Sequence, residues 1–95
     1  MLTQDQINII INTMKPHNPV RIGVFGSVAR GDNTKDSDID ILYQFDSRYS
    51  LFDLADIQFE LEEKLNIDVD LVEFTAIHPL LSDRILSDTK IVYEQ

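Results

Sequence analysis

Residues 25–40 read FGSVARGDNTKDSDID, in which a glycine–serine corner and two aspartates are separated by a polar loop. The apolar run before the corner, from Val20 to Phe25, is typical of a strand because β-branched and aromatic residues favour a pleated surface. Gly26 has no Cβ, so the backbone can turn tightly there, and Ser27 adds a hydroxyl beside the free N–H groups of a starting helix. The corner therefore predicts a phosphate-binding turn, followed by a short helix that ends at Gly31.

A second strand is predicted over residues 39–45, after the turn-forming residues 32–37. Alternate side chains of a strand point to opposite faces, so Asp38 and Asp40 share one face at a distance of roughly 7 Å along the strand. Two carboxylates at this spacing can converge on one divalent ion or bracket a pair of ions. Without a cation they repel each other. The pair predicts a metal site, and the alternative is a solvated strand edge.

A third strand is predicted over residues 67–72, after an amphipathic helix over residues 51–65. A strand, a helix of this length and another strand are typical of a parallel pair, so the third strand should lie beside the second. Alternation then brings Asp68 and Asp70 to the face of the first two aspartates. We expect Asp70 to be the third carboxylate, although only the strand register distinguishes it from Asp68.

The remaining elements complete a sheet with helices around it. A helix over residues 3–15 is predicted with Thr3 as its N-cap, and Pro79 opens a short helix that precedes a closing strand over residues 90–93. A broad apolar face is predicted for the helix at 51–65, made of Leu51, Phe52, Leu54, Ala55, Ile57, Leu61 and Leu65. The order of elements indicates an α/β (α+β) fold, a mixed sheet of about four strands flanked by helices in one domain over residues 1–95.

The charge balance limits the classes of ligand and partner that the chain is expected to bind. The chain has 17 acidic and 8 basic residues and a net charge of −9, which disfavours direct binding to nucleic acid and suits a metal ion and a basic protein partner. There are no cysteines, so disulfides and thiolate metal sites are excluded. No apolar run suggests a signal peptide or membrane span, so a cytoplasmic location is expected.

The candidate ligands also select the metal. Carboxylate oxygens without histidine or thiol favour Mg²⁺, with Mn²⁺ as the other choice, and a pair of such ions supports in-line displacement at phosphorus. Arg30, one helical turn after Ser27, can neutralise phosphate charge, or can serve only the helix dipole.

The spacing of these features resembles a known signature. A Gly26-Ser27 pair, ten further residues and then Asp38-Ile39-Asp40 are similar to the signature of the DNA polymerase β-like nucleotidyltransferase superfamily. The longer strings GSVARG and SDIDI resemble its minimal nucleotidyltransferase (MNT) branch. The VDLV strand at 69–72 and the tail at 79–94 are similar to that branch too, so the resemblance extends over most of the chain.

The resemblance implies a fold, a site and a reaction. The fold is the polymerase β-like palm, in which the residues matching Asp38, Asp40 and Asp70 hold Mg²⁺ and act in catalysis. The reaction transfers AMP from ATP to an acceptor hydroxyl with loss of pyrophosphate. Candidate nucleotide-binding residues are Gly26, Ser27, Arg30 and Ser37.

Small proteins of this branch resemble the antitoxins of HEPN/MNT pairs, the type VII toxin–antitoxin systems. The resemblance implies AMP transfer to a tyrosine of a HEPN ribonuclease toxin, with self-association of the chain as a further expectation. Two alternatives stay open. One is a noncatalytic acidic antitoxin that neutralises its partner by binding, and the other is a small-molecule nucleotidyltransferase completed by a helical subunit.

Overall fold

A mixed four-stranded sheet organises the protein, and the computed structural model describes it over residues 2–34 and 36–95. Met1 and Lys35, the latter in the predicted loop at 32–37, lie outside the described residues. The helices are α1 (Gln4–Met14), α2 (Gly26–Arg30), α3 (Leu51–Leu65) and α4 (Pro79–Asp88). The strands are β1 (Pro19–Phe25), β2 (Ile39–Phe45), β3 (Val69–Glu73) and β4 (Lys90–Glu94). Short 3₁₀ turns follow α1 at Lys15–His17 and β3 at Phe74–Ala76. The predicted α+β fold is confirmed.

The strands lie in the order β3-β2-β1-β4. β1 is antiparallel to both β2 and β4, whereas β2 and β3 are parallel, as the crossover helix between them predicted. In this register Asp40 of β2 lies between Phe25, the last residue of β1, and Asp70 of β3. The start of the glycine–serine corner and two of the predicted carboxylates, Asp40 and Asp70, therefore meet at one end of the sheet.

Local signals determine where the helices begin and end. Thr3 caps α1 through a reciprocal pair of hydrogen bonds with Gln6, and Ser50 caps α3 in the same way with Asp53. Such caps satisfy N–H groups that have no partner inside the helix. α2 ends at Gly31, which adopts the left-handed conformation that glycine tolerates at a helix end. The predicted bounds of α3 are confirmed at both ends.

The apolar core lies on one face of the sheet, beneath α1 and α3. Alternating residues of β2, namely Ile39, Ile41 and Tyr43, are buried there. The residues between them, including Asp40, point to the other face because successive side chains of a strand alternate. Fully buried residues from the helices and other strands that complete this core include Ile10, Met14, Ile22, Val24 and Leu61.

The broad apolar face predicted for α3 is confirmed for four of its seven residues and wrong for three. Ile57, Leu61 and Leu65 are buried and Leu54 is partly buried, but the other three predicted members, Leu51, Phe52 and Ala55, are exposed. At about 3.6 residues per turn, the buried group lies on one side of the helix and Leu51, Phe52, Ala55 and Phe59 lie on another. The exposed fractions reach 83% for Leu51, 84% for Phe52 and 62% for Phe59.

Across the described part of the chain, every helix is too short or too polar to cross a membrane.

Candidate active site

The backbone turn at Gly26 packs against the carboxylate of Asp40. Gly26 has a φ of +77°, in the region that glycine adopts most readily. A Cβ added at this position would overlap the Oδ2 atom of Asp40. The backbone turn and the carboxylate thus lie in direct contact, and only glycine combines the required φ with the required space. Gly31, with a φ of +83°, has nothing within 4 Å of its Cβ position.

Asp40 is the electrostatic centre of the site. It is half-buried, and its pKa is raised from 3.8 to about 6, chiefly because burial disfavours the charged form. The negative charges of Asp70 and Asp38 raise the pKa further, as does a hydrogen bond with Asp70, while the charge of Arg30 partly offsets these effects. Three aspartates are therefore close enough to influence one another, and the ionised form of Asp40 is destabilised.

Asp70 meets Asp40 side by side because the two residues are paired in the parallel register. Asp68 lies two residues earlier, just before β3 begins, and its carbonyl oxygen accepts a hydrogen bond of 2.9 Å from the backbone N–H of Ile39. The side chains of Asp38 and Asp68 line a cavity of about 390 Å³ at the entrance to β2 and β3. The register thus brings Asp70, and not Asp68, into contact with Asp40.

The carboxylates do not form a closed metal cage. Within residues 2–34 and 36–95, no three side chains of His, Asp or Glu adopt an arrangement that could hold a metal ion by themselves. The donor set nevertheless fits a hard divalent cation, since it consists of oxygens and its mutual repulsion raises the pKa of Asp40. Asp40 and Asp70 are the residues that would hold such a cation, and its charge would relieve their repulsion.

Arg30 is held beside the site by two carboxylates. Its Nε donates to Asp32 at 3.2 Å and its Nη1 donates to Asp88, at the end of α4, at 3.0 Å. A guanidinium has five N–H donors, so three remain for another ligand. Sequence reasoning did not identify Asp88, because 58 residues separate it from Arg30 and no local pattern links the two.

Ser27 and Ser37 have different surroundings. The carbonyl oxygen of Ser27 accepts the backbone N–H groups of Gly31 and Asp32, which closes α2. The Oγ of Ser37 accepts a hydrogen bond of 3.0 Å from the backbone N–H of Thr34, and the Ser37 N–H donates to the Thr34 carbonyl. Ser37 therefore fixes the turn that leads into Asp38, and its predicted contact with a nucleotide stays a prediction.

A glycine turn that contacts one of two paired carboxylates, with an arginine alongside, is the arrangement that the sequence pattern predicts for phosphate chemistry. A family model described as "Polymerase beta, Nucleotidyltransferase" matches residues 8–95. The chain belongs to this family, and it is a nucleotidyltransferase.

Two relatives are similar over most of their lengths. A protein adenylyltransferase, MntA of Thermococcus cleftensis, is 35% identical over 98% of this chain and 97% of its own. A Methanocaldococcus jannaschii protein that is also named as a protein adenylyltransferase is 46% identical over 83% of this chain and 85% of its own.

Two solved structures share the fold. One is a toxin–antitoxin structure with AMP-PNP, with a TM-score of 0.83 and 24% identity over 94% of this chain and 73% of that chain. The other is a tri-AMPylated HEPN toxin of Shewanella oneidensis in complex with its MNT antitoxin, with a TM-score of 0.78 and 22% identity over 99% of this chain and 74% of that chain.

Proposed function

We propose that this protein is a Mg²⁺-dependent protein adenylyltransferase that transfers AMP from ATP to a tyrosine hydroxyl of a partner HEPN toxin, as the antitoxin of a type VII pair. The observation that carries the chemistry is the contact of Asp40 with Asp70 on one side and with the Gly26 turn on the other. The partner class is supported by the resemblance of the sequence and by the HEPN–MNT complex that shares this fold.

In this proposal Asp38, Asp40 and Asp70 hold two Mg²⁺ ions, with Mn²⁺ as a substitute. The oxygen donors support that assignment, as does the raised pKa of Asp40, because a bound cation would stabilise its ionised form. Bound ions of this kind supply charge neutralisation for the phosphates and stabilise the attacking and leaving oxygens. The turn at Gly26 and Ser27 receives the triphosphate, and the remaining N–H donors of Arg30 are directed to its negative charge.

Residues of the chain also accept the proton of the acceptor hydroxyl and orient the reacting groups. The acceptor oxygen forms a bond to the α-phosphorus of ATP, the bond from that phosphorus to the bridging oxygen breaks, and pyrophosphate leaves. Asp70, whose carboxylate faces Asp40, accepts the proton of the attacking hydroxyl as general base. Its position beside Asp40, on the side away from the glycine turn, would orient the hydroxyl toward the α-phosphorus.

The experiment that tests this function is transfer of label from α-³²P-ATP to the purified HEPN partner in the presence of Mg²⁺. Asp40→Asn and Asp70→Asn are expected to abolish labelling. The matched control is Asp68→Asn, the same change at the aspartate two residues before Asp70, just outside β3, which is expected to retain most of the activity. Labelling that survives Asp40→Asn would contradict the mechanism, and loss with Asp68→Asn but not with Asp70→Asn would exchange the roles of the two residues.

The noncatalytic alternative is separated by rescue of growth from the toxin. If neutralisation requires AMP transfer, the Asp40→Asn protein fails to rescue although it still binds the toxin. If binding alone neutralises, the same variant rescues as well as the parent. Because Asp40→Asn removes a destabilised carboxylate, the variant is expected to fold, so failure to rescue reports on chemistry.

A further inference from the structure

α3 carries a second apolar surface that no part of the described chain covers. We define the outer α3 stripe as Leu51, Phe52, Ala55 and Phe59, which follow one side of the helix over two turns. With the exposed fractions given above, its three large side chains present on the order of 400 Å² of apolar surface, taking usual side-chain areas. Exposed apolar patches of this size on a small protein mark interaction surfaces.

The outer α3 stripe lies on the opposite side of the sheet from the carboxylates. α3 packs on the face that holds Ile39 and Ile41, whereas Asp40 points to the other face. A molecule bound to the stripe therefore leaves the Gly26 turn and the aspartates open. The stripe is an exosite and not an extension of the catalytic surface.

The charges around the outer α3 stripe indicate the charge of the partner that it binds. Asp56 and Glu63 flank it along one edge and are exposed, and neither forms an ion pair within the described residues. The chain as a whole carries a net charge of −9. A second copy docked on the stripe would bring identical acidic edges together, and like charges at close range oppose association. A basic partner meets no such penalty.

A cavity at the N-terminal end of α3 has matching chemistry. It encloses about 430 Å³ beside Leu54, one turn from Leu51. Its lining combines three aromatic rings with two carboxylates and one guanidinium, from Tyr43, Phe45, Tyr49, Asp46, Glu73 and Arg48. Aromatic faces and carboxylates both attract organic cations. Two carboxylates against one guanidinium leave the lining net negative, so the cavity suits the end of a Lys or Arg side chain.

We propose that the outer α3 stripe docks an amphipathic helix of a protein partner, in which an apolar ridge is flanked by Lys and Arg. The apolar ridge covers Phe52 and Phe59, and the basic flank pairs with Asp56 and Glu63. The docking holds the partner while the carboxylates on the other side of the sheet remain accessible. This inference does not rest on the transfer reaction, because none of its residues belongs to the nucleotide site.

The test uses a labelled synthetic peptide of about 18 residues with Leu at i, i+3, i+4 and i+7 and Lys or Arg elsewhere, measured by fluorescence anisotropy. Phe52→Glu with Phe59→Glu is expected to weaken binding by at least about tenfold. The control with the same added charge is Leu80→Glu with Leu81→Glu, at two residues of α4 that are 88% and 52% exposed, which is expected to change binding less than about twofold. A peptide with Glu in place of the basic residues is expected not to bind.

Three outcomes overturn the proposal. The first is equal peptide binding by the parent and by the double Phe variant, and the second is equal binding by the basic and acidic peptides. The third is a dimer of this chain in sedimentation that the double variant dissociates, because the occupant would then be a second copy. Should the glutamates disturb folding, Phe52→Ala with Phe59→Ala replaces them, with circular dichroism as the folding check. A loss of at least about fivefold is then expected.

Discussion

The two faces of the sheet differ in the side chains that they bring together. On the face beneath α1 and α3, alternate residues of β2 such as Ile39 and Ile41 are fully buried among apolar neighbours. On the other face, at the end where β1 turns into α2, Asp40 contacts Asp70 and its pKa is raised to about 6. The first face lowers the free energy of the fold by apolar burial. The second face also buries Leu42, but its end at Asp40 holds like charges together at a cost in free energy.

The comparison explains how a short chain can hold a reactive site. Carboxylates that repel one another are tolerated only where the surrounding structure over-determines their positions. Here the parallel register between β2 and β3 fixes Asp40 opposite Asp70, and the core on the reverse face stabilises that register. Because strand residues alternate, a one-residue slip would exchange the two faces, so the core also determines where the carboxylates point.

The largest expected effect is on the carboxylate face. Asp40→Asn is expected to lower the rate of AMP transfer by at least about 10³-fold, about 4 kcal/mol in activation free energy, because it removes a carboxylate that would hold the metal ions neutralising the reacting phosphates. The melting temperature without metal should stay the same or rise, since the mutual repulsion is relieved. Label transfer and thermal unfolding measure the two quantities. A variant that loses stability and activity together would contradict the division between the faces.

The second effect is on the core face. Leu61→Ala removes a fully buried side chain of α3 and is expected to lower the free energy of unfolding by about 2–5 kcal/mol. Leu80→Ala is the matched control, because Leu80 is 88% exposed and the same truncation should cost less than about 0.5 kcal/mol. Urea unfolding measures both. Transfer activity per folded molecule should remain in the Leu61→Ala protein, and its disappearance would show that the core does more than stabilise the register.

Much of this division could be predicted from the sequence. The caps at Thr3 and Ser50, the glycine that ends α2 and the parallel pairing of β2 with β3 all follow from local patterns of a few residues. Asp70 was preferred over Asp68 only as an expectation, because register depends on packing across the sheet. The exposure of Phe52 was missed, since helical spacing alone does not show which of two apolar sides meets the core.

The candidate site could also be predicted only in part, because some of its contacts join residues that are distant in the sequence. The glycine–serine corner and the aspartates are local signals, and the family resemblance joins them. The contact between Gly26 and Asp40 and the pairing of Arg30 with Asp88 connect distant positions. Such contacts depend on the assembled sheet and have no signature in the neighbouring residues.

The third effect compares the two glycines at the ends of α2. Both have positive φ, so alanine costs about 1 kcal/mol or more at either position from backbone strain. At Gly26 the new Cβ would also displace the carboxylate of Asp40, and a shift of about 1 Å at a reacting group can lower a rate by about 10²-fold. We expect Gly26→Ala to lose transfer activity by that factor while Gly31→Ala retains it. Single-turnover transfer by equal amounts of folded protein measures the difference, and equal rates would contradict the role of the contact.

The smallest effect is a pH dependence that belongs to the carboxylate face alone. The folded protein raises the pKa of Asp40 from 3.8 to about 6, so it binds this proton more tightly than the unfolded chain does. The resulting stabilisation is complete below pH 3.8 and is lost as the pH rises through about 6.

In metal-free buffer, lowering the pH from about 7 to about 5 should therefore raise the free energy of unfolding of the parent relative to Asp40→Asn, by less than about 1 kcal/mol after solvent screening. Urea unfolding of both proteins at both pH values measures the contribution of Asp40 together with its coupling to Asp38 and Asp70, because the rest of the chain is the same in the pair. Saturating Mg²⁺ should reduce the difference, since a bound cation favours the ionised carboxylate. A difference of the opposite sign would mean that Asp40 is stabilised as an anion in the free protein, and the contrast between the two faces would be lost.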